Sequence, residues 1–485
     1  MSLRRLARAS ALYMLGNLAP KVGAVLLLPI YVRFLTREEY GSLALLTSIS
    51  GLLTIIYRLG LDSSLMRLHF DTSGSSRATL YSTLTLFTLA AAGGMTLVVA
   101  IASAPFFTAL FSGIVFVPLG ALALLLAFMS AIQYVPSAFY RATGQAARFV
   151  TYNVGAFVLA SAASVILIVV IRLGVLGILL GQLVGASMIL VVGIIVVGRL
   201  GRWSFSSASL ATSLRVGIPL LPHSVAAWVL RLSDRWLLGL LLGLPAAQAL
   251  GAVGSYSFGY QVAYIVSIVV TSFNSAWSPY FFRVGALPHG PILHRHVTSV
   301  AIAGLLGLAV AISALGPEIV AVIARPEYAA AAEVMPVIAF ASVLQGFYTM
   351  IVTAVFLSKR TGWLAAITVA SAALNIGLNL VLIRPMGIMG AAWATVGAYG
   401  FFAAATWLYG RRVYPIQVDA IRLTVLAGVA IAAVVVAGAI RLPGNPLAQG
   451  GLHLLVAIVF GCIAAGFAFG PLMGLRGLGG YRTGD

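Results

Sequence analysis

Fourteen runs of about 18 to 30 residues along the chain are almost free of charge. A helix needs roughly 20 apolar residues to cross the hydrocarbon core of a bilayer. The runs fall at about 9–33, 41–61, 79–103, 113–139, 150–171, 175–198, 216–242, 251–280, 297–316, 333–357, 362–383, 387–410, 423–440 and 450–473. At roughly 20 residues each, fourteen spans take up about 280 residues at minimum. The rest of the 485 goes to longer spans, short loops and two short tails. No extramembrane domain fits into what is left. The runs are too long, and alternate too little, for the strands of a membrane barrel. The expected fold is an all-α integral membrane protein of 14 transmembrane helices. Composition agrees: 61% of residues are hydrophobic and 8% charged, whereas soluble domains carry roughly 25% charged residues. A water-soluble enzyme and a disordered chain are excluded.

The net charge of +19 raises the question of nucleic acid. The 29 basic residues (27 Arg, 2 Lys) are scattered in ones, twos and threes between apolar runs. A phosphate-binding face would cluster them, so nucleic acid is not an expected partner. The scatter is that of positive-inside topology signals. Nineteen cations fall in the N-terminal tail, the connections after even-numbered spans and the C-terminal tail. Six fall on the opposite side: Arg33, Arg37, Arg172, Arg325, Arg384 and Arg441. The asymmetry puts both termini in the cytoplasm. The start, Met1-Ser2-Leu3-Arg4-Arg5-Leu6-Ala7-Arg8, resembles a signal-peptide n-region. The apolar stretch after it runs on through Pro20 and Lys21 to about Leu35, too long for a cleaved segment. It reads as a retained first span. The single cysteine, Cys462, lies in an apolar run and allows no intrachain disulfide.

The chain also repeats itself. Gly174-Val175-Leu176-Gly177-Ile178 opens span 6, and Gly387-Ile388-Met389-Gly390-Ala391 opens span 12, an offset of 213 residues. Tyr140-Arg141-Ala142-Thr143-Gly144 follows span 4, and Ser358-Lys359-Arg360-Thr361-Gly362 follows span 10, an offset of 218. The expected organisation is an N-lobe at 1–198 (spans 1–6), a C-lobe at 215–410 (spans 7–12) and two additional helices at 420–475. Six spans per repeat make the halves parallel, and in transporters built this way substrate sites lie between them near the midplane. The competing explanation is that Gly-x-x-Gly is simply common in membrane helices.

Several chemistries find no residues here. A Walker A motif needs Gly-Lys-Ser/Thr, but Lys21 follows Pro20 and Lys359 follows Ser358. No His is followed by Glu, so the metalloprotease helix is missing. His289, His294 and His296 read as a solvated cytoplasmic loop rather than a metal site, and no metal is expected. The longest outer loop, about 317–332, carries Glu318, Glu327 and little else. Catalysis has no obvious home, and the protein is expected to be a transporter rather than an enzyme.

Charges inside the membrane are expensive and mark function. Lys21 sits at the centre of span 1, near Asn17 and between Pro20 and Pro29, beyond snorkelling reach of water. It either lines a polar cavity or pairs with a buried acid. Span 7 reads Trp228-Val229-Leu230-Arg231-Leu232-Ser233-Asp234-Arg235-Trp236. Arg231 and Arg235 stand i,i+4 on one face, and Asp234 is placed to pair with Arg231. The bland alternative is a self-neutralising pair that locks span 7 to a neighbour. Arg58, near the inner end of span 2, either serves a cavity or snorkels. Four cations against Asp234 attract an anion, and Arg suits phosphate through its planar, bidentate donors. Amides and aromatic hydroxyls are spread over several spans. Asn17, Gln345, Tyr348 and Asn375 are cavity candidates among them, while Gln133, Asn153 and Gln182 belong to the same group. Each alone reads as a helix–helix hydrogen bond. Asp234 is a fixed counter-ion or a coupling site for H+ or Na+. No other cofactor is expected.

Three segments carry a family resemblance. The first joins Gly16-Asn17 and Pro29-Ile30-Tyr31-Val32-Arg33-Phe34-Leu35 to Glu39-Tyr40-Gly41-Ser42-Leu43 and Leu59-Gly60-Leu61. The second is Ser233-Asp234-Arg235 followed by Gly254-Ser255-Tyr256-Ser257. The third is Leu374-Asn375-Ile376-Gly377-Leu378-Asn379-Leu380 followed by Gly387-Ile388-Met389-Gly390-Ala391-Ala392. Together they resemble bacterial polysaccharide-export flippases of the Wzx type, in the multidrug/oligosaccharidyl-lipid/polysaccharide (MOP) superfamily. The resemblance runs over nearly the whole chain. It implies two six-helix lobes plus two C-terminal helices. It also implies transfer of a polyprenyl-diphosphate-linked oligosaccharide across the bacterial inner membrane, as in O-antigen or exopolysaccharide biosynthesis, with membrane lipids and other polysaccharide assembly proteins as partners. Related lipid II flippases use a cationic cavity, a part for which Lys21, Arg58, Arg231 and Arg235 are the candidates here. Drug-exporting relatives tend to carry acidic cavities. Competing readings are a drug/cation antiporter of the same superfamily and, from another class, a membrane polysaccharide polymerase or glycosyltransferase. The cavity's sign disfavours the first, and the short outer loops the second. For topology, a periplasm-active reporter fused after Asp485 is expected to stay silent, while one fused in the 317–332 loop is active. The reverse pattern overturns the orientation.

Overall fold

The computed structural model describes residues 3–201, 203–440 and 446–474, with side chains described for 11–201, 203–440 and 448–468. Arg202, Arg441, Arg476 and Arg482 of the charge count lie outside the described residues. Among the described residues, 14 helices are long and apolar enough to cross a membrane, one for each run in the sequence. They are span 1 (Ala11–Phe34), span 2 (Arg37–Asp71), span 3 (Gly74–Leu110), span 4 (Phe116–Ala142), span 5 (Ala146–Val169), span 6 (Gly174–Leu200) and span 7 (Ser207–Leu241). Then come span 8 (Ala246–Val284), span 9 (Gly290–Ala314), span 10 (Ala331–Leu357), span 11 (Gly362–Met386), span 12 (Ile388–Val413), span 13 (Ala420–Ala439) and span 14 (Ala448–Ala468). Helix is the form that hydrocarbon permits, because each backbone polar group finds its partner within the segment.

The spans outrun the apolar runs where the helix continues past a break. Thr36 caps span 2: its hydroxyl accepts from the Glu39 amide, and the Glu39 carboxylate accepts from the Thr36 amide. Leu59 and Gly60 then take left-handed conformations (φ 48° and 73°), and the helix resumes at Leu61. Arg58 therefore lies inside span 2, not at its inner end as the apolar run suggests. Span 7 is interrupted by a 3-10 turn at Ile218–Leu220, where Pro219 interrupts the backbone hydrogen-bond ladder. At these two breaks the backbones meet, since a Cβ on Gly60 would run into the Gly217 carbonyl.

The chain forms two compact units, Met1–Ser257 with Asn379–Ile388, and Phe258–Leu378 with Met389–Asp485. In the first, helices approach through glycine. Gly181 and Gly185 stand four residues apart on span 6; a Cβ on Gly181 would strike Ser164, and one on Gly185 the Ala156 carbonyl. Span 2 meets the start of span 8 in the same way. There a Cβ on Gly41 would occupy the place of the Leu250 carbonyl oxygen, and one on Gly254 that of the Arg37 carbonyl oxygen. In lipid such small-residue contacts supply the van der Waals packing that a hydrophobic drive cannot. Span 7 belongs to this unit, whereas the internal repeat would group it with spans 8–12. Trp228 Nε1 donates to the Ser48 carbonyl (3.0 Å), Trp236 Nε1 to that of Leu110 (3.0 Å), and Ser112 Oγ to that of Gly239 (3.0 Å).

In the second unit, Phe258 and Tyr328 pack edge to face, 5.4 Å between centroids. His453 of span 14 faces Glu318 Oε1 (2.7 Å) through Nδ1 and the Ala437 carbonyl (3.1 Å) through Nε2. Spans 13 and 14 are thus tied to the short helix Gly316–Ile323. The sequence reads the 290s histidines as a solvated loop, and the structure corrects this. His294 lies in span 9, fully buried, with Nε2 3.0 Å from the Met350 carbonyl, and His296 bonds the Ile292 carbonyl of its own helix. Among the described residues no cluster suits a metal.

Gly254→Leu is expected to lower the thermal unfolding midpoint of the purified protein, because overpacking costs about 1–3 kcal/mol. Gly304→Leu, where a Cβ meets nothing within 4 Å, is expected to leave the midpoint nearly unchanged.

Candidate functional site

The candidate cations sort into three settings, all within the first unit. Lys21 follows Pro20 inside an unbroken helix (Leu3–Phe34) and is half-buried. Its ammonium makes no hydrogen bond or ion pair among the described residues. Arg231 of span 7 is close enough for the two charges to act on each other. Arg231 is exposed; its Nε donates to the Ala227 carbonyl (3.3 Å) of its own helix, and its two amino groups are uncommitted among the described residues. Two like charges within electrostatic reach, neither in an ion pair among the described residues, form a place that an anion stabilises.

Arg235 is in a different setting. It is 5% exposed and Asp234 1%. Its Nη1 donates to Asp234 Oδ1 (3.1 Å) and to the Arg231 carbonyl (2.8 Å). The Arg235 amide also donates to Asp234 Oδ1 (2.9 Å). Tyr256 Oη donates to Asp234 Oδ2, and the guanidinium carbon lies 5.9 Å from the centre of the Tyr256 ring. The spacing argument pairs Asp234 with Arg231; the structure pairs it with Arg235. The correction has a physical reason. The Arg235 side chain folds back along its own helix, reaching the preceding turn's carbonyl and the neighbouring carboxylate together. Arg231, one turn earlier, is left to the open side. Tyr256 was not singled out, although an acid at membrane depth requires a donor. The Gly254-Ser255-Tyr256-Ser257 segment supplies it 22 residues on.

Arg58 occupies the third setting. Nε donates to the Ala131 carbonyl (3.0 Å), and Nη2 to the Ser130 carbonyl (2.8 Å) and Gln133 Oε1 (3.4 Å). Ala131 opens a 3-10 turn at Ala131–Gln133 that interrupts span 4, and Ser130 is the residue that precedes it. Arg58 thus satisfies backbone oxygens that a continuous helix would bond internally. It also lines a cavity of about 580 Å3 among spans 1, 2, 4, 5 and 6.

The polar candidates fall in both units. Asn17 is exposed and its amide donates to the Tyr13 carbonyl (2.9 Å) of its own helix. In the second unit Gln345 Oε1 accepts from Ser267 Oγ (2.7 Å), and Tyr348 stacks on Phe402 at 3.8 Å between centroids. Asn375 is 1% exposed on span 11. The Ser267–Gln345 and Thr353–Asn274 hydrogen bonds (2.7 and 3.2 Å) join spans 8 and 10, which is the helix–helix reading for Gln345.

Comparison with known proteins follows this geometry. No protein of curated function matches the sequence. In structure the chain is similar to the lipid II flippase MurJ in an inward closed conformation. The TM-score is 0.72 at 12% identity, over 96% of this chain and 100% of that one. It is also similar to a multidrug resistance MATE family transporter of the MOP superfamily. The inward-facing form gives a TM-score of 0.56 at 15% identity, over 82% of this chain and 94% of that one. The outward-facing form gives 0.55 at 16%, over 84% and 95%. Identities this low speak to the fold alone. A sequence profile described as "Polysaccharide biosynthesis protein" matches residues 6–284, more than half of the chain. With 14 helices of membrane-spanning length and apolarity among its described residues and this profile over more than half of its length, the chain is a multi-pass membrane protein that belongs to the polysaccharide biosynthesis protein family.

Proposed function

We propose that the protein is a flippase that moves a polyprenyl-diphosphate-linked oligosaccharide from the inner to the outer leaflet of the bacterial cytoplasmic membrane. It works by alternating access, with spans 1–6 and 7–12 as homologous halves and both termini in the cytoplasm. The observation that carries this reading is that Lys21 and Arg231 lie within electrostatic reach of each other and neither forms an ion pair among the described residues. A diphosphate is the anion that suits such a pair: an ammonium point charge and a guanidinium fork together neutralise it. The polyprenyl tail stays in lipid while the headgroup crosses. Family membership and the MurJ-like fold support a lipid-linked saccharide as cargo. Arg58 and Arg235 contribute positive potential, and both already bond protein groups. A drug/cation antiporter would need an open carboxylate; Asp234 is engaged with Arg235 and Tyr256.

In proteoliposomes loaded with polyprenyl-diphosphate-linked oligosaccharide, Lys21→Ala and Arg231→Ala are each expected to abolish flipping while the protein inserts normally. Removing one partner of a desolvated charge pair costs about 2–5 kcal/mol of binding. Lys21→Arg is expected to retain part of the activity. Normal flipping by both alanine variants overturns the diphosphate role.

Asp234 acts in this reading as the fixed counter-ion of Arg235. Asp234→Ala leaves a buried guanidinium without its carboxylate, a loss of about 3–5 kcal/mol, read as a large fall in unfolding temperature. Asp234→Asn keeps the Tyr256 partner and is expected to fold. If flipping responds to an imposed H+ or Na+ gradient, the response is expected to persist in Asp234→Asn. A variant that flips but no longer responds identifies Asp234 as the coupling site instead.

A further inference from the structure

The cavity beside Arg58 carries four polar groups for which the described residues supply no partner. It lies wholly within the first unit and measures about 580 Å3, within the roughly 300–1,000 Å3 of small-molecule sites. Arg58 enters from span 2, Gln133 from span 4, Asn153 from span 5 and Gln182 from span 6. The Arg58 Nη1 amino group makes no hydrogen bond, although Nε and Nη2 are fully used. Gln133 accepts from Arg58 through Oε1, which leaves its NH2 group without an acceptor. Asn153 donates to the Phe149 carbonyl (2.9 Å), and its Oδ1 accepts nothing. The Gln182 amide bonds no described residue. Three amides and a guanidinium, drawn from four spans, converge on one space at membrane depth. Each of these half-buried groups opens onto the cavity, where an entering ligand can reach all four.

The chemistry of the lining selects an occupant. Donors and acceptors alternate among NH2, C=O and guanidinium groups, the pattern that meets vicinal hydroxyls. The lining holds one cation and no carboxylate, which disfavours amines and accommodates a neutral or acidic ring. Pro20 also lines the cavity, and Lys21 is the next residue. Lys21 itself is not in the lining; it stands one residue along the same helix from the cavity's edge, so a group attached to an anion held at Lys21 needs only a short reach to enter. We propose that the cavity seats the diphosphate-proximal sugar of the headgroup, with Arg58, Gln133, Asn153 and Gln182 as the groups that read it. This rests on the flippase reading above and adds the place where specificity is set.

The test compares lipids that share the diphosphate and differ in the sugar. The purified full chain is titrated with bare polyprenyl diphosphate and with the same lipid carrying glucose, N-acetylglucosamine or glucuronate. At least one glycosylated lipid is expected to bind tenfold or more tightly than the bare lipid. In Asn153→Leu/Gln182→Leu, which fills the cavity with apolar atoms, that advantage is expected to vanish. Retention of bare-lipid binding by the variant reports that it is folded. Gln182→Glu is expected to weaken the glucuronate lipid several-fold more than the glucose lipid, a charge-specific difference that misfolding does not produce. An advantage that survives the double substitution, or a wild type that binds all four lipids equally, overturns the sugar site and leaves the flippase reading standing. A wild type that binds none of the four, bare lipid included, overturns both.

Discussion

Hydrocarbon gives a charge no water to lean on, and the arrangement of the first unit follows from that. Each cation at membrane depth must be given a protein partner or held for something that arrives. Arg235 has the first solution: a neighbouring carboxylate, a carbonyl one turn back and the face of Tyr256. Arg58 has half of it, with two edges of the guanidinium on backbone oxygens and one open. Lys21 has no protein partner among the described residues and Arg231 only the Ala227 carbonyl of its own helix, and they lie within electrostatic reach of each other. Burying a charge in a medium of low dielectric carries a penalty of several kcal/mol that good geometry must offset. A chain with so few charges places them where that penalty serves a purpose.

Packing obeys the same absence of water. Lipid tails are as apolar as leucine, so apolar side chains gain nothing by leaving them for a neighbouring helix. Contacts form instead where glycine lets backbones close on each other, as at Gly41 with Gly254 and at Gly181 with Ser164. The remaining adhesion comes from indole and hydroxyl donors that reach carbonyls of adjacent spans, such as Trp228 on Ser48. These short contacts fix span 7 against span 2 and span 6 against span 5.

The number and order of the spans were legible because hydropathy over about 20 residues reflects one physical quantity, transfer into hydrocarbon. Each of the fourteen runs corresponds to a helix. The breaks were less legible. Nothing in the apolar run at 41–61 announces that the helix resumes after Gly60, and that break is what places Arg58 in the interior of span 2. Asp234's partner was misread for a related reason. Helical spacing says which residues share a face but not how a long side chain folds back, and Arg235 reached the carboxylate that Arg231 was expected to hold. Gln133, Asn153 and Gln182 were visible as scattered amides. Only the fold reveals that they look into one space while Gln345 is spent on Ser267.

The Gly41–Gly254 crossing has a mechanical meaning. Where two backbones touch this closely, beside the Arg37 and Glu38 side chains that pack at Gly251, the contact is a fulcrum. Span 2 continues from it as a rigid rod to Arg58, about 26 Å away at 1.5 Å per residue. At that lever length a tilt of about five degrees carries the guanidinium roughly 2 Å. A displacement of that size breaks or makes a hydrogen bond to the Ala131 carbonyl. Small rocking about the crossing is thereby converted into a polar rearrangement at Arg58.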